Sequence, residues 1–261
     1  MPHPSPKGRT LLETALRHDR ALMAVLVLVT LACWMWIALM AHDMYGSMRG
    51  ASAWMMTNDW DVTHLLLLWA MWAAMMTAMM LPTAAPLVLL YAAALRARGE
   101  HDATRRIYAL ASGYLVVWAA FSVGATVLQR ILASALTLTP MMEPAQPIMA
   151  AALLAVAGIY QLTPFKRACL RVCRSPLSYL VQHWRGGSLG AMRLGVDHGL
   201  YCLGCCWALM LLLFTGGVMN LVVIVALMLW VLAEKLLPYG EQTARASGIV
   251  LLALAGWTAI G

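Results

Sequence analysis

The chain has 261 residues, of which 62% are hydrophobic and only 11% are charged, and its net charge is +7. Soluble globular domains are about 45–50% apolar and about 25% charged. This composition therefore excludes a soluble domain, a disordered chain and, despite the positive charge, a nucleic-acid-binding module. Because a helix crosses a bilayer with about 20 apolar residues, we predict an all-α, polytopic transmembrane helix bundle that forms one integral membrane domain over residues 1–261.

Seven apolar segments follow a basic N-terminal tail of residues 1–20 and are predicted to span the membrane. They comprise residues 21–41, 64–91, 107–132, 147–162, 198–215, 217–237 and 247–260. Pro82 and Pro86 lie inside the second segment, where each removes a backbone donor, so we predict a kink there. Residues 163–197 form a basic linker between the fourth and fifth segments.

The lysines and arginines alternate between the two sides of this topology. Sixteen of the 18 basic residues fall in the tail and in the loops of one side, and only Arg49 and Arg130 fall on the other side. Because Lys and Arg accumulate in cytoplasmic loops, we expect a cytoplasmic N-terminus and a C-terminus on the outer side. The net charge then reflects topology, and the expected partner is the lipid bilayer.

The second segment carries a stripe of methionines. Its central members are Met75, Met76, Met79 and Met80. Thioether sulfur is a soft ligand that suits Cu(I), although methionine also packs helix cores without any metal. His42 and His64, at the outer end of the first two segments, are either further ligands or polar residues at the membrane interface.

Two cysteines lie in the basic linker at a helical spacing of four residues. Cys169 and Cys173 stand between Pro164 and Pro176, a pattern that predicts a short helix at the cytoplasmic membrane surface. Neighbouring lysine and arginine side chains favour the thiolate form of such cysteines. Both cysteines are candidate metal ligands.

The fifth segment has the most specific motif of the chain. Cys205 and Cys206 follow Cys202 by three and four residues, and His198 precedes it by four, so the four side chains share an arc of roughly 100° on a helix. Thiolate and imidazole bind Zn(II), and thiolate-rich sites bind Cu(I). Cysteine also packs as a small apolar residue, the interpretation we adopt for the isolated Cys33.

The sixth segment ends with two charged residues, Glu234 and Lys235. An ionisable residue within a membrane helix is a functional candidate, and the tight turn expected at Gly216 and Gly217 returns Glu234 toward the cysteines of the fifth segment. Glu234 is therefore an additional candidate ligand. The alternative is that Lys235 snorkels to the membrane surface and that Glu234 forms a structural salt bridge.

Three motifs together resemble a known protein family. They are WAAMMTAMMLP at 72–82, YQLTPFKRACLRVCRSP at 160–176 and HGLYCLGCCW at 198–207. They are similar to motifs of the bacterial proteins described as predicted metal-binding integral membrane proteins, a domain of unknown function. The resemblance implies the bacterial inner membrane and a metal site, and it implies no activity. With the orientation expected from the basic residues, the C-terminus is then periplasmic.

We predict a protein that binds a soft transition metal at a cytoplasmic-face Cys/His site and acts in metal transport, loading or sensing. Cu(I) is favoured, with Zn(II) as the alternative, and another membrane or metal-delivery protein is the expected partner. Two other functions stay open: a membrane thiol-disulfide oxidoreductase and a structural subunit of a larger membrane complex. Helix faces rich in small residues allow an oligomer.

Overall fold

The structure is a computed structural model that describes residues 20–44, 61–134 and 146–260. Within these ranges the chain forms nine α-helices and no strand, in agreement with the predicted all-α fold. The helices are α1 (Arg20–Met44), α2 (Val62–Ala97), α3 (Ala103–Ser134), α4 (Pro147–Leu162), α5 (Pro164–Cys173), α6 (Pro176–His183), α7 (Gly187–Leu211), α8 (Leu221–Leu236) and α9 (Gly240–Ile260). The predicted basic tail lies outside the described residues, apart from Arg20.

Several helices are long and apolar enough to cross a membrane. Among the described residues five pass this test alone: α1, α2, α3, α9, and α7 together with the short 3-10 turn that follows it. Helices α4 and α5 pass only as a pair bent by 68°. Helix α8 has only 16 residues, which at 1.5 Å per residue covers about 24 Å. The predicted count of seven spans and their orientation therefore stay predictions.

The linker predicted between the fourth and fifth segments is largely helical. Pro164 and Pro176 begin α5 and α6, positions at which the missing amide hydrogen of proline costs nothing. The Thr163 hydroxyl caps α5 by accepting the amide hydrogen of Lys166. Helix α7 begins at Gly187, whose φ is +73°, and is therefore longer at its start than the segment predicted from residue 198.

Helix α7 packs most closely against α3, because two glycines remove the side chains between them. A Cβ atom at Gly195 of α7 would collide with the carbonyl oxygen of Leu110, and one at Gly113 of α3 would collide with that of Met192. Helix α2 also packs against α3, and α5 packs against α7. The helix that carries three cysteines thus lies inside the bundle.

Candidate metal site

The three cysteines of α7 are buried in the apolar core. Cys202, Cys205 and Cys206 each expose only 1% of their surface. The Cys205 and Cys206 thiols both donate to the carbonyl oxygen of Cys202, at 3.0 and 2.9 Å. Both sulfurs therefore point back along the helix, as side chains of this spacing do, and they lie beside each other.

Helix α5 brings its own cysteines to the same place. The Cys173 and Cys205 sulfurs are 3.9 Å apart. Cys169 packs against Gly204, where a Cβ atom would lie 2.8 Å from its sulfur. The two cysteine motifs, separate in the sequence, thus meet at one contact between α5 and α7.

The methionine stripe of α2 reaches these thiols through one residue. The sulfur atoms of Met80 and Cys206 are 4.0 Å apart. The other three predicted methionines belong to the same buried core cluster as the α7 cysteines, with 0% exposure. They are Met75, Met76 and Met79. A thioether therefore borders the thiols, and further thioethers lead away from them along α2.

Lys235 and Tyr114, neither of which was predicted as a ligand, surround Cys202. The Lys235 ammonium donates to the Cys202 sulfur at 2.8 Å and to the Thr83 hydroxyl at 3.1 Å. The Tyr114 hydroxyl lies 3.0 Å from the same sulfur and donates to the Met80 carbonyl oxygen. The charge of Lys235 inside an apolar helix marked it as unusual, whereas no sequence signal pointed to Tyr114.

Glu234 lies away from the thiols that it was predicted to approach. Its carboxylate forms an ion pair with Lys166 at 2.6 Å and accepts hydrogen bonds from Gln161 and Trp230 at 2.7 and 3.2 Å. Adjacent helix residues point about 100° apart, so Lys235 faces α7 while Glu234 faces α4 and α5. The structural salt bridge, considered as the alternative, is thus present, with Lys166 as its cation.

The predicted histidines lie at three different places. His198 is 3% exposed, its ring is tilted against those of Tyr179 and Tyr114, and its Nδ1 has no hydrogen-bond partner among the described residues. His64 is buried at the start of α2, and His42 is exposed at the end of α1. Sixteen residues of helix, about 24 Å, separate His64 from Met80, so the structure brings only His198 near the thiols.

Tyr179, whose ring centroid lies 5.1 Å from that of His198, is itself held in place. Its hydroxyl donates to the carbonyl oxygen of Leu194 at 3.0 Å. Burial raises the pKa of Tyr179, because the phenolate would lose its hydration. The phenol therefore remains a proton donor at neutral pH, and the wall of the site next to His198 stays uncharged.

The sulfur separations can be compared with those of a metal centre. Two sulfurs that bind one tetrahedral ion at about 2.3 Å lie about 3.8 Å apart, close to the two observed pairs at 3.9 and 4.0 Å. Within the described ranges, however, no group of three or more His, Cys, Asp and Glu side chains converges as a ready-made metal centre. The thiols instead satisfy one another and the Cys202 carbonyl, so a metal ion would have to redirect them.

Comparison with known proteins identifies one matching family. The family model PpoB2, described as a copper chaperone, matches residues 69–258, well over half of the chain. The matched range includes the methionine stripe and five of the six cysteines. No curated protein and no solved structure shows significant similarity to the chain.

Proposed function

Because the chain belongs to the PpoB2 family of copper chaperones, we propose that it holds Cu(I) at the contact of α5 and α7 and delivers it to a partner protein. The observation that carries this proposal is the meeting of thiols from two helices with a thioether from a third. Cys205 lies 3.9 Å from Cys173, and Cys206 lies 4.0 Å from Met80. Transport and sensing, the other two predicted roles, use the same site.

The donor atoms favour Cu(I) over Zn(II). Thiolate and thioether are the soft ligands that select Cu(I), and Zn(II) sites in proteins use thiolate, imidazole and carboxylate. The carboxylate of Glu234 is bound to Lys166 on the other side of α8. The ligands closest to hand are therefore sulfur atoms, and the Nδ1 atom of His198, which has no hydrogen-bond partner among the described residues, is the next candidate ligand.

Binding requires a small rearrangement of the thiols. Cys205 and Cys206 give up their hydrogen bonds to the Cys202 carbonyl and change their side-chain rotamer to face the ion. Cys202 exchanges its contact with Lys235 for the metal. Helix α5 adds the sulfurs of Cys173 and Cys169. The five cysteines together provide more ligands than one ion needs, so the ion can pass from one sulfur to another.

The methionines of α2 provide a path for the ion. Met80, Met76, Met79 and Met75 are buried along a helix that runs from the thiols toward His64. On a helix, residues three and four apart are neighbours, so successive thioethers are close enough to exchange a soft ion. We place the thiols at the cytoplasmic face of the bacterial inner membrane, because of the positive-inside distribution of basic residues.

The direct test is to count bound metal. The protein is purified without oxygen in detergent, loaded with Cu(I), and its copper is quantified by mass spectrometry. We expect stoichiometric copper in the native chain and in Cys33→Ser, a matched control because Cys33 is a free cysteine of α1 outside the motifs. Cys202→Ser/Cys206→Ser should lose the copper; retention of full copper by that variant would contradict the proposal.

A thiol-disulfide oxidoreductase is the second candidate function. The 3.9 Å separation of the Cys173 and Cys205 sulfurs favours it, because a small movement would bring them to the bond length of a disulfide. The two thiols would lose two protons and two electrons to an acceptor. A protein that binds no copper on loading with Cu(I) and has a reversible dithiol/disulfide couple would support this function and count against copper delivery.

A further inference from the structure

We propose that the buried ion pair of Lys166 and Glu234 is a positioning device for the copper site. It fixes α5 on the end of α8 and thereby holds Cys173 beside Cys205. This inference rests on the proposed function, since it assigns to the pair the task of completing the sulfur set. The pair itself lies outside the thiol cluster and would not touch the metal.

The Glu234 carboxylate is anchored from several helices. Gln161 of α4 and Trp230 of α8 donate to its Oε1 atom, and the Ser247 hydroxyl of α9 lies 3.4 Å from the same atom. Its Oε2 atom accepts from Lys166 at 2.6 Å. Lys166 is fully buried and the Glu234 side chain is 2% exposed, so Lys166 binds an anion that cannot easily move.

The C-terminal end of α5 contacts the residues that directly follow α8. The Arg174 guanidinium donates to the carbonyl oxygens of Leu237 and Pro238, at 2.6 and 2.8 Å. These carbonyls follow α8, where the unpaired groups of a helix C-terminus attract cations. Gly240 leaves room for the guanidinium, since a Cβ atom there would collide with it. Helix α5 is thus held at both ends by residues 234–238.

The position of Lys166 on α5 determines where its cysteines point. Cys169 and Cys173 follow it by three and seven residues, so the three side chains share an arc of about 60° on one face. A helix of only ten residues that lost the Lys166 contact would keep the Arg174 contact beyond its C-terminal end, about which it could rotate. Such a movement would separate the Cys173 sulfur from that of Cys205.

A second ion pair on α5 offers a matched control. Arg171 binds Glu241 at 3.1 Å, but its side chain is 67% exposed and that of Glu241 38% exposed. Exposed pairs contribute little to structure, whereas removal of one member of a buried pair leaves the other charge unpaired in an apolar region. Glu241→Gln should therefore leave α5 in place, while Glu234→Gln should release it.

The first experiment measures the position of α5 without copper. The metal-free native chain is treated with diamide, which takes two electrons and two protons from a thiol pair to form a disulfide and the corresponding hydrazine. Peptide mapping follows the Cys173–Cys205 disulfide. In Glu234→Gln its formation should be slower by about tenfold or more, because small misplacements have large effects on rate, and in Glu241→Gln it should be unchanged.

Equal rates in Glu234→Gln and the native chain would overturn the proposal. Size-exclusion chromatography and thermal unfolding in detergent establish that each variant is folded. If Glu234→Gln fails to fold, Lys166→Met/Glu234→Gln replaces it, because removal of both charges avoids an unpaired one. This double variant lacks the buried ion pair and keeps only the exposed one of Arg171, so it too should form the disulfide slowly, and a native rate would be contrary to the inference.

The second experiment asks whether Glu234 acts through the α5 cysteines. Cu(I) affinity is measured by competition with a Cu(I) chelator in a double-mutant cycle. Glu234→Gln should weaken binding about 10–100-fold, as the loss of a supporting residue does at other metal sites. In Cys169→Ser/Cys173→Ser the same substitution should have no further effect; additive losses would show that Glu234 acts elsewhere.

A native chain that binds no Cu(I) would refute the proposed function, and the diamide rates would still decide the positioning role.

Discussion

At the scale of single residues, the contact of Met80 with Cys206 decides how the methionine stripe joins the thiols. Only this methionine has a sulfur contact to the cysteines among the hydrogen-bond and sulfur contacts of the described residues. The other methionines of the stripe are equally buried, so burial alone does not distinguish a ligand from a packing residue. The sulfur contact makes Met80 the methionine at which the proposed ligand role is tested first.

Met80→Leu should therefore weaken Cu(I) binding on the order of tenfold, about 1.4 kcal/mol, because the site loses its thioether. Leu and Met have similar volumes, so the substitution should cost less than about 1.5 kcal/mol of stability. Affinity is measured by chelator competition. Met71→Leu is the control, since Met71 is 1% exposed on the same helix but nine residues away; an equal loss in both variants would argue for a packing role of Met80.

Lys235 is a second single residue whose contacts help to define the thiol site. An ammonium is expensive to bury unless a partner compensates it, and its described partners are the Cys202 sulfur and the Thr83 hydroxyl. No carboxylate pairs with it among the described residues. The Lys235 ammonium is therefore part of the thiol site, where the Cys202 sulfur and the Thr83 hydroxyl accept its hydrogen bonds.

At the scale of helices, the close approach of α3 and α7 sets the place of the cysteine stripe. Gly195 and Gly113 each face the backbone of the opposite helix, so neither position has room for a side chain. Small residues allow such approaches between membrane helices. Any separation of the two helices would move Cys202 away from Tyr114.

Gly195→Ala should destabilise the protein by about 1–3 kcal/mol, the usual cost of overpacking, because its methyl group would meet the Leu110 carbonyl. Thermal unfolding in detergent provides the measurement. Gly124→Ala is the matched control on α3, where a Cβ atom would have no neighbour within 4 Å. Since alanine is a better helix former than glycine, the control should be neutral or stabilising; equal destabilisation of both variants would contradict the packing argument.

At the scale of the whole molecule, orientation in the membrane decides from which side copper leaves. The distribution of basic residues predicts that α5, α6 and the end of α8 lie on the cytoplasmic side. The salt bridges of that region, between Arg171 and Glu241 and between Arg185 and Asp197, are those of a surface in contact with water. A copper acceptor would then approach from the cytoplasm.

Reporter fusions test this topology. Alkaline phosphatase fused after Gly186, between α6 and α7, should be inactive, and the same enzyme fused after Gly261 should be active, since it works only outside the cytoplasm. An even number of spans would place both chain ends on one side. Activity at Gly186, or its absence at Gly261, would therefore show that the seven-span prediction or its orientation is wrong.

The sequence by itself determined what depends on local spacing and composition. Hydrophobic runs predicted the helices, the prolines predicted the start of α5, and a spacing of three and four residues placed Cys202, Cys205 and Cys206 on one face. These features follow from the 3.6-residue period of a helix, which involves only neighbouring residues.

Only the tertiary structure decided which helices meet and which side chains face each other. It placed Lys235 beside Cys202, directed Glu234 to Lys166, and brought Cys173 and Met80 to the α7 thiols. These contacts join residues 32 to 126 positions apart. The physical reason is that packing of the whole helix surface against its neighbours sets the rotation of a helix about its axis. Adjacent residues point about 100° apart. A shift of one residue therefore decides whether a charge faces the thiols or an ion-pair partner.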